Sequence, residues 1–208
     1  MKLILASLIA SAAAFAPSQV AQTSTTTTTA LKAFESELGV QQPLGFWDPL
    51  NLLTDADQDR FDRLRYVEVK HGRIAMLAVL GHITTSSGHT LAGNIDNAGT
   101  EFASIKTGLA GLGSIPAEGV LQILAFIGLL EVFVMKDVKG TGDFPGDFRN
   151  GFDLGLWDKY SEEEKMQKRS VELNNGRAAQ MGILGLMVHE KIGGDPYIIN
   201  SLLGYHTV

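Results

Sequence analysis

The chain has 208 residues, a formal net charge of −6 and no cysteine. The negative charge argues against a nucleic-acid partner, and the absence of cysteine excludes disulfides and thiolate metal sites. Hydrophobic residues make up 45% of the chain, a fraction that fits a membrane protein and a soluble one equally, so composition leaves the class open.

Residues 1–31 have the composition of a targeting leader. The opening MKLILASLIASAAAFAPSQV combines one lysine with an apolar run and an alanine-rich stretch, the layout of a secretory signal. The threonine-rich stretch that follows contains no acidic residue, as is typical of organelle transit peptides. Together with the phenylalanine in AAAFAP, this two-part arrangement resembles the leaders of algal plastids bounded by extra membranes. We therefore expect a bipartite leader at 1–31 and a mature domain at 32–208. A disordered tail after an ordinary signal is the alternative.

Three apolar segments follow the leader, and each begins with a helix-start signal. The first opens near Thr54, with Asp57 three residues on, in an arrangement that resembles a helix cap. The second starts at Pro116, a favoured residue of a first helical turn. The third starts at Ser161 and Glu164, which form the pattern of a capping box. Strand signals are scarce, so we predict an all-α chain. The helices are expected at about residues 55–87, 116–136 and 161–192.

The two outer helices are too long to cross a membrane upright. At about 33 residues each they would reach roughly 50 Å, against a bilayer core of about 30 Å, so they must tilt or project. Basic residues collect on one side of the three segments, as the positive-inside pattern requires. They are Arg60, Arg63, Arg65, Lys70, Lys136, Lys139, Lys165, Lys168 and Arg169. We predict three transmembrane helices; a soluble amphipathic bundle with surface salt bridges is the alternative.

The first and third helices carry the same charged motif. EVKHGRIAML places Glu68 and Arg73 beside an apolar run, and ELNNGRAAQM repeats them with identical spacing as Glu172 and Arg177. An ionised side chain in hydrocarbon costs several kcal/mol unless it is paired. Residues five apart on one helix face each other poorly. We therefore predict that the helices cross about a pseudo-two-fold axis, with Glu68 paired to Arg177 and Glu172 to Arg73. The glycines of the motif would let the backbones approach.

The same motif offers two candidate metal ligands on each helix. Glu68 and His71 lie three residues apart and share a helix face, as do Glu172 and Asn175. A di-iron centre would need two Glu-x-x-His elements and two further glutamates, whereas the second copy here has asparagine. Separate hard Mg²⁺ ions that each need one axial ligand fit better. Chlorophyll contains such an ion.

On these motifs the chain resembles the three-helix light-harvesting chlorophyll-binding proteins, most of all the fucoxanthin chlorophyll a/c proteins of algae. The resemblance also covers ELGVQQPLGFWDPLNLL, IPAEGVLQILAFIGLLEVFVMKD and GDFPGDFRNGF. It implies chlorophyll a, chlorophyll c and fucoxanthin or related carotenoids as cofactors, with chlorophyll magnesium the sole metal. The implied magnesium ligands are Glu68, His71, Gln122, Glu131, Glu172, Asn175 and His189. In the family the loops before the long helices hold carotenoid ends, which here implies Trp47, Asp48, Trp157 and Asp158. Interfacial tryptophan anchoring is the alternative for these loops. His82 is expected to be a packed polar side chain, and His206 is not carried over as a ligand.

The expected function is that of a photosynthetic antenna. Such a protein holds pigments at fixed separations and passes excitation to a photosystem without making or breaking bonds, so we expect no enzymatic activity. The resemblance implies the plastid thylakoid membrane as location, with other antenna subunits and a photosystem core as partners. A photoprotective member of the same superfamily is one alternative, and a membrane di-iron oxidase is another.

Overall fold

The computed structural model describes residues 34–138, 140–150 and 155–193, together with Tyr197. The leader expected at 1–31 and His206 lie outside these residues. Within the described ranges the backbone forms helices and no strand. The helices are α1 (Gln58–Ser86), α2 (Gly108–Gly111), α3 (Ala117–Phe133) and α4 (Glu162–Gly193), with short 3₁₀ turns at Phe102–Ser104 and Trp157–Lys159.

The two long helices begin at side-chain caps. The Asp57 carboxylate accepts a hydrogen bond from the Arg60 backbone N–H at 2.9 Å, so α1 begins after Asp57 and not at Thr54. Ser161 and Glu164 form a reciprocal capping box before α4. The Ser161 N–H donates to Glu164 Oε2 at 2.9 Å, and the Glu164 N–H donates to Ser161 Oγ at 3.3 Å.

Helices α1 and α4 meet at Gly72 and Gly176. A Cβ atom built on either glycine would lie 2.9 Å from the Cα atom of the other, which is too close for a side chain to fit at either position. Ala75 and Leu173, which flank this point, are also buried. The two backbones are therefore in direct contact where the helices pack, and any larger residue there would separate them.

The third long segment, α3, contributes little to the protein core. It contains no buried residue, although its sequence is almost wholly apolar. Two polar contacts connect its C-terminal end to α1. Lys70 forms an ion pair with Glu131, and the Tyr66 hydroxyl donates to the Met135 carbonyl at 3.1 Å.

Few apolar side chains are buried in the described part of the chain. They are Phe34, Ala56, Phe61, Ala75 and Leu173. Phe34 and Phe61 stack with ring centroids 4.5 Å apart, which fastens the segment before α1 onto that helix. Across the described ranges, every helix falls short of either the length or the apolarity that a membrane crossing requires.

Candidate functional site

Two reciprocal ion pairs join α1 and α4 on either side of the glycine contact. Arg177 Nε donates to Glu68 Oε1 at 2.7 Å, and Arg73 Nε donates to Glu172 Oε1 at 2.6 Å. The glutamate side chains are 29% and 32% exposed, so both carboxylates are only partly shielded from the surroundings. The structure thus brings together the four charged residues that the repeat singled out.

Each of these arginines also anchors the loop that precedes one long helix. Arg177 Nη1 donates to the Gly39 carbonyl at 2.8 Å, and Arg73 Nη1 donates to the Gly146 carbonyl at 2.7 Å. Gly39 and Gly146 have φ values of +100° and +91°, a backbone conformation that favours glycine. The repeat therefore extends from the helices into the two loops. Sequence reasoning missed both glycines, because a backbone acceptor leaves no side-chain signal.

The two crossed pairs differ in one respect. Arg65 Nη1 donates to Glu68 Oε2 at 2.6 Å, so each oxygen of this carboxylate faces a guanidinium. Arg169 occupies the equivalent position three residues before Glu172, yet its guanidinium carbon lies 4.2 Å from the Phe144 ring centroid. In the described part of the chain Arg169 has no carboxylate partner. Among the described residues Glu172 Oε2 therefore has no partner, whereas both oxygens of Glu68 have one.

His71 is arranged as a metal ligand would be. Its Nδ1 lies 2.8 Å from the Val67 carbonyl oxygen, which can only accept, so Nδ1 carries the proton. In the neutral ring, Nε2 is then the nitrogen with a free lone pair, and the side chain is exposed. A histidine oriented by a backbone carbonyl in this way is suited to bind one metal ion through the other nitrogen.

The other expected ligands are also directed outward. The side chains of Gln122, Asn175 and His189 are exposed and make no hydrogen bond within the described residues. Glu131 is half-buried and forms its ion pair with Lys70 through Oε2, which leaves Oε1 available. Among residues 34–138, 140–150 and 155–193, no three His, Asp or Glu side chains come together as a metal centre. Within these ranges the expected ligands therefore lie singly.

Each ion pair borders a cavity that includes one of the two tryptophans. A cavity of about 740 Å³ is lined by Trp47, Glu68 and Arg177 with other residues of the loop before α1. One of about 320 Å³ is lined by Trp157, Glu172 and Arg73 with residues of the loop before α4.

The two aspartates beside these tryptophans have different environments. Asp48 accepts backbone hydrogen bonds from Leu52 at 3.0 Å and Leu53 at 2.8 Å, so its carboxylate organises its own turn. Asp158 is exposed.

A buried aspartate shapes the smaller cavity. Asp147 is 4% exposed and accepts a hydrogen bond from Arg149 Nε at 2.8 Å. The hydrogen bond from Arg149 lowers the pKa of Asp147 to about 2, and the same contact raises the pKa of Arg149. Asp147 is therefore ionised at any physiological pH.

His82 is buried near the other ends of α1 and α4, as expected for a packed polar residue. Its Nδ1 lies 2.9 Å from the Tyr197 hydroxyl, and its Nε2 lies 3.9 Å from Glu190 Oε2. The Glu190 carboxylate accepts the Leu109 N–H at 2.8 Å, which attaches α2 to α4. His82 thus belongs to a structural cluster.

Known proteins match nearly the whole chain. The family model described as "Chlorophyll A-B binding protein" matches residues 34–191. A fucoxanthin-chlorophyll a-c binding protein from Trieres chinensis is 60% identical over 207 residues, which cover 97% of this chain and 100% of that protein. Protein F of the same name from Phaeodactylum tricornutum is 60% identical over 191 residues, 91% of this chain and 95% of its own length. Protein A from Macrocystis pyrifera is 58% identical over 186 residues, 88% of this chain and 84% of its own. The chain belongs to the chlorophyll a-b binding protein family.

Proposed function

We propose that this protein is a light-harvesting antenna that binds chlorophyll a, chlorophyll c and fucoxanthin and transfers excitation energy to a photosystem. One observation carries the proposal beyond family membership. Helix α3 is apolar yet contains no buried residue, and long apolar side chains of α1 and α4 are exposed. The described chain therefore does not cover its own apolar surface. Ring-shaped pigments and lipid would cover it.

The expected ligands fit chlorophyll on chemical grounds. Chlorophyll, when bound, would supply the visible absorption and a magnesium ion that takes a further ligand from the protein. Magnesium takes hard oxygen or nitrogen ligands, and His71 offers Nε2 while Glu172 offers Oε2. Each site needs only one such atom. The complete proposed set is Glu68, His71, Gln122, Glu131, Glu172, Asn175 and His189.

The crossed ion pairs would hold these pigments at fixed separations. The Glu68–Arg177 and Glu172–Arg73 contacts lock α1 to α4 around the glycine contact. Because each paired glutamate is neutralised, it can face apolar surroundings while an oxygen lone pair remains for magnesium. Energy transfer depends on constant distances, so a rigid crossing suits an antenna.

The two cavities suit carotenoid ends as a further part of the proposal. Trp47 and Trp157 each line one of them, beside an ion pair at the helix crossing. Asp48 would act by organising its turn, while exposed Asp158 could receive a polar end group directly.

The proposed location is the thylakoid membrane of a plastid, reached through the bipartite leader at 1–31. In that arrangement residues 32–208 form the membrane domain. Because no described helix combines the length and apolarity of a membrane span by itself, α1, α3 and α4 would cross the bilayer only as a pigmented unit, with α1 and α4 tilted. At 29 and 32 residues, the long helices would span about 44 and 48 Å, against roughly 30 Å of hydrocarbon. Other antenna subunits and a photosystem core are the proposed partners.

Fluorescence of the pigmented protein tests the antenna role. With the protein reconstituted with chlorophyll a, chlorophyll c and fucoxanthin, we expect excitation of fucoxanthin to give chlorophyll a emission. The excitation spectrum should follow the absorption spectrum, and the emission lifetime should be close to that of chlorophyll in detergent. A strongly shortened lifetime would instead identify the photoprotective alternative. Unpigmented protein that retains iron would identify the di-iron oxidase.

A further inference from the structure

Two side chains of α1 depart from the repeat that relates this helix to α4. Lys70 stands where the repeat places Asn174 in α4, and Tyr66 stands where it places Ser170. Neither residue of α1 therefore has a counterpart of the same chemistry. Both side chains instead contact the C-terminal end of α3. The departures from the repeat are thus the residues that bind the third long helix.

These contacts hold a helix that takes little part in the packing of the others. The helix contacts of the described chain mainly join α1, α2 and α4 to one another, and α3 has no buried residue. Lys70 and Tyr66 lie one helical turn apart on the same face of α1. Their partners at the end of α3, Glu131 and the Met135 carbonyl, are also about one turn apart. This pair of contacts therefore fixes how the end of α3 lies against α1.

Glu131 needs a cation from outside its own helix. Glu118 is the other charged residue of α3, so this helix contains no base. The Glu131 side chain is 34% exposed, and Leu129 and Phe133 beside it are exposed apolar residues. A carboxylate beside apolar surface is costly unless it is paired. Within the described chain, Lys70 supplies the pairing charge.

The Lys70 side chain is held by aromatic contacts that lead to the helix crossing. Its Nζ lies 5.8 Å from the Tyr66 ring centroid. The Phe148 ring meets the Tyr66 ring edge-on, with centroids 5.6 Å apart. The guanidinium carbon of Arg73, a member of one crossed ion pair, lies 5.1 Å from the Phe148 ring centroid. A continuous set of contacts thus joins the end of α3 to the crossing of α1 and α4.

We infer that Lys70 is the positioning residue for a chlorophyll site at Glu131. The Lys70 ammonium neutralises the carboxylate through Oε2 and fixes the side chain, while Oε1 remains for magnesium. Because Lys70 belongs to α1 and Glu131 to α3, the site is complete only when α3 lies against α1. The inference rests on the proposed pigment binding and adds the condition under which one site forms. A purely structural ion pair, with no pigment on Glu131, is the alternative.

Chlorophyll content and the distance between α1 and α3 are measured together after reconstitution in mild detergent. The chain has no cysteine, so Gln58→Cys and Glu118→Cys introduce unique positions for two spin labels. Both positions are exposed, one at the start of α1 and one at the start of α3. Pulsed electron paramagnetic resonance then gives the distribution of distances between the labels. The control Lys136→Gln removes an exposed charge just beyond α3 that forms no ion pair among the described residues.

We expect Lys70→Gln to bind about one chlorophyll fewer per chain and to broaden the distance distribution. Its carboxylate partner loses a charge-assisted contact, which should weaken that chlorophyll site at least about tenfold. Lys70→Arg keeps the charge and should keep both the chlorophyll and the distance. Lys136→Gln should match the native protein in both measurements.

Two double variants separate a ligand from a purely structural ion pair, and they decide the question even if Lys70→Gln does not assemble. Lys70→Gln with Glu131→Gln removes both charges but keeps an amide oxygen, so the chlorophyll count should recover. Lys70→Leu with Glu131→Leu also removes both charges but leaves no ligand atom. This second variant should assemble with about one chlorophyll fewer per chain.

Two results would overturn the inference. Equal chlorophyll counts in the two double variants would show that Glu131 binds no magnesium. Unchanged chlorophyll content and distance in Lys70→Gln would show that Lys70 does not position the site. Either result leaves the native protein pigmented, whereas absence of chlorophyll from the native protein would count against the antenna proposal itself.

Discussion

Replacing Arg73 with leucine should impair assembly more than replacing Arg177, although the repeat makes the two residues equivalent. Arg73→Leu leaves Glu172 without an ion-pair partner among the described residues, whereas after Arg177→Leu the Glu68 carboxylate keeps Arg65 at 2.6 Å. Both variants lose one hydrogen bond to a loop glycine, so that contribution cancels.

The free-energy cost of each variant depends on how exposed its glutamate is and on how many cationic partners that glutamate keeps. Stranding one charge of a buried pair costs about 3–5 kcal/mol. With Glu172 32% exposed we expect the lower end, roughly 3 kcal/mol. Losing one charged hydrogen bond while another remains costs about 1.5 kcal/mol. The difference of about 1.5 kcal/mol corresponds to roughly a tenfold difference in the assembly equilibrium.

The assay is the yield of pigmented complex after reconstitution with excess pigment. Arg65→Leu together with Arg177→Leu should fall at least to the level of Arg73→Leu, because Glu68 then also stands alone and the Arg65 hydrogen bond to the Leu38 carbonyl is lost as well. The matched double Glu172→Gln with Arg73→Leu should recover yield, since both charges leave together. The mismatched double Glu172→Gln with Arg177→Leu should not. Equal yields from Arg73→Leu and Arg177→Leu, or from the two doubles, would refute the reasoning.

Three further predictions concern a ligand, a helix contact and a buried charge. His71→Leu should remove about one chlorophyll per protein while the fold survives; unchanged pigment stoichiometry would make His71 a structural residue. Gly72→Ala should destabilise the complex by about 1–3 kcal/mol, because the new Cβ atom would lie 2.9 Å from the Gly176 Cα atom. Gly81→Ala is the control and should be neutral in thermal melts, because its Cβ atom would meet no atom within 4 Å apart from the backbone of its own helix. The pKa of Asp147 is lowered to about 2. Its ionised form should therefore add about 2 kcal/mol to the free energy of unfolding. This contribution is fully present above about pH 4 and is lost as the pH falls through about 2. The gap in melting temperature between the native protein and Asp147→Asn should therefore close over that range, and a constant gap would contradict it.

Much of the architecture could be inferred from the sequence because its signals are local or repeated. Ser161 and Glu164 mark the start of α4 through side-chain chemistry that operates within four residues. The spacing of Glu68 and Arg73, repeated once, implies reciprocal pairing, because charges beside apolar surface require partners. At the start of α1, Thr54 was the wrong cap, since Asp57 performs the same chemistry one turn later.

Other features could not be obtained from the sequence for physical reasons. The carbonyl groups of Gly39 and Gly146 accept hydrogen bonds that no side chain announces. The ion pair between Lys70 and Glu131 depends on where α3 lies, and an all-round apolar helix has no face that fixes its position. Arg65 is different, because its i,i+3 spacing to Glu68 is a readable signal that was overlooked.

Pigment and metal analysis of the purified native protein tests the central claim most directly. We expect chlorophyll a, chlorophyll c and fucoxanthin in fixed ratios, magnesium equal to total chlorophyll, and no stoichiometric iron. Protein that is folded yet free of chlorophyll, or that carries two irons per chain, would contradict the antenna function proposed for this chain.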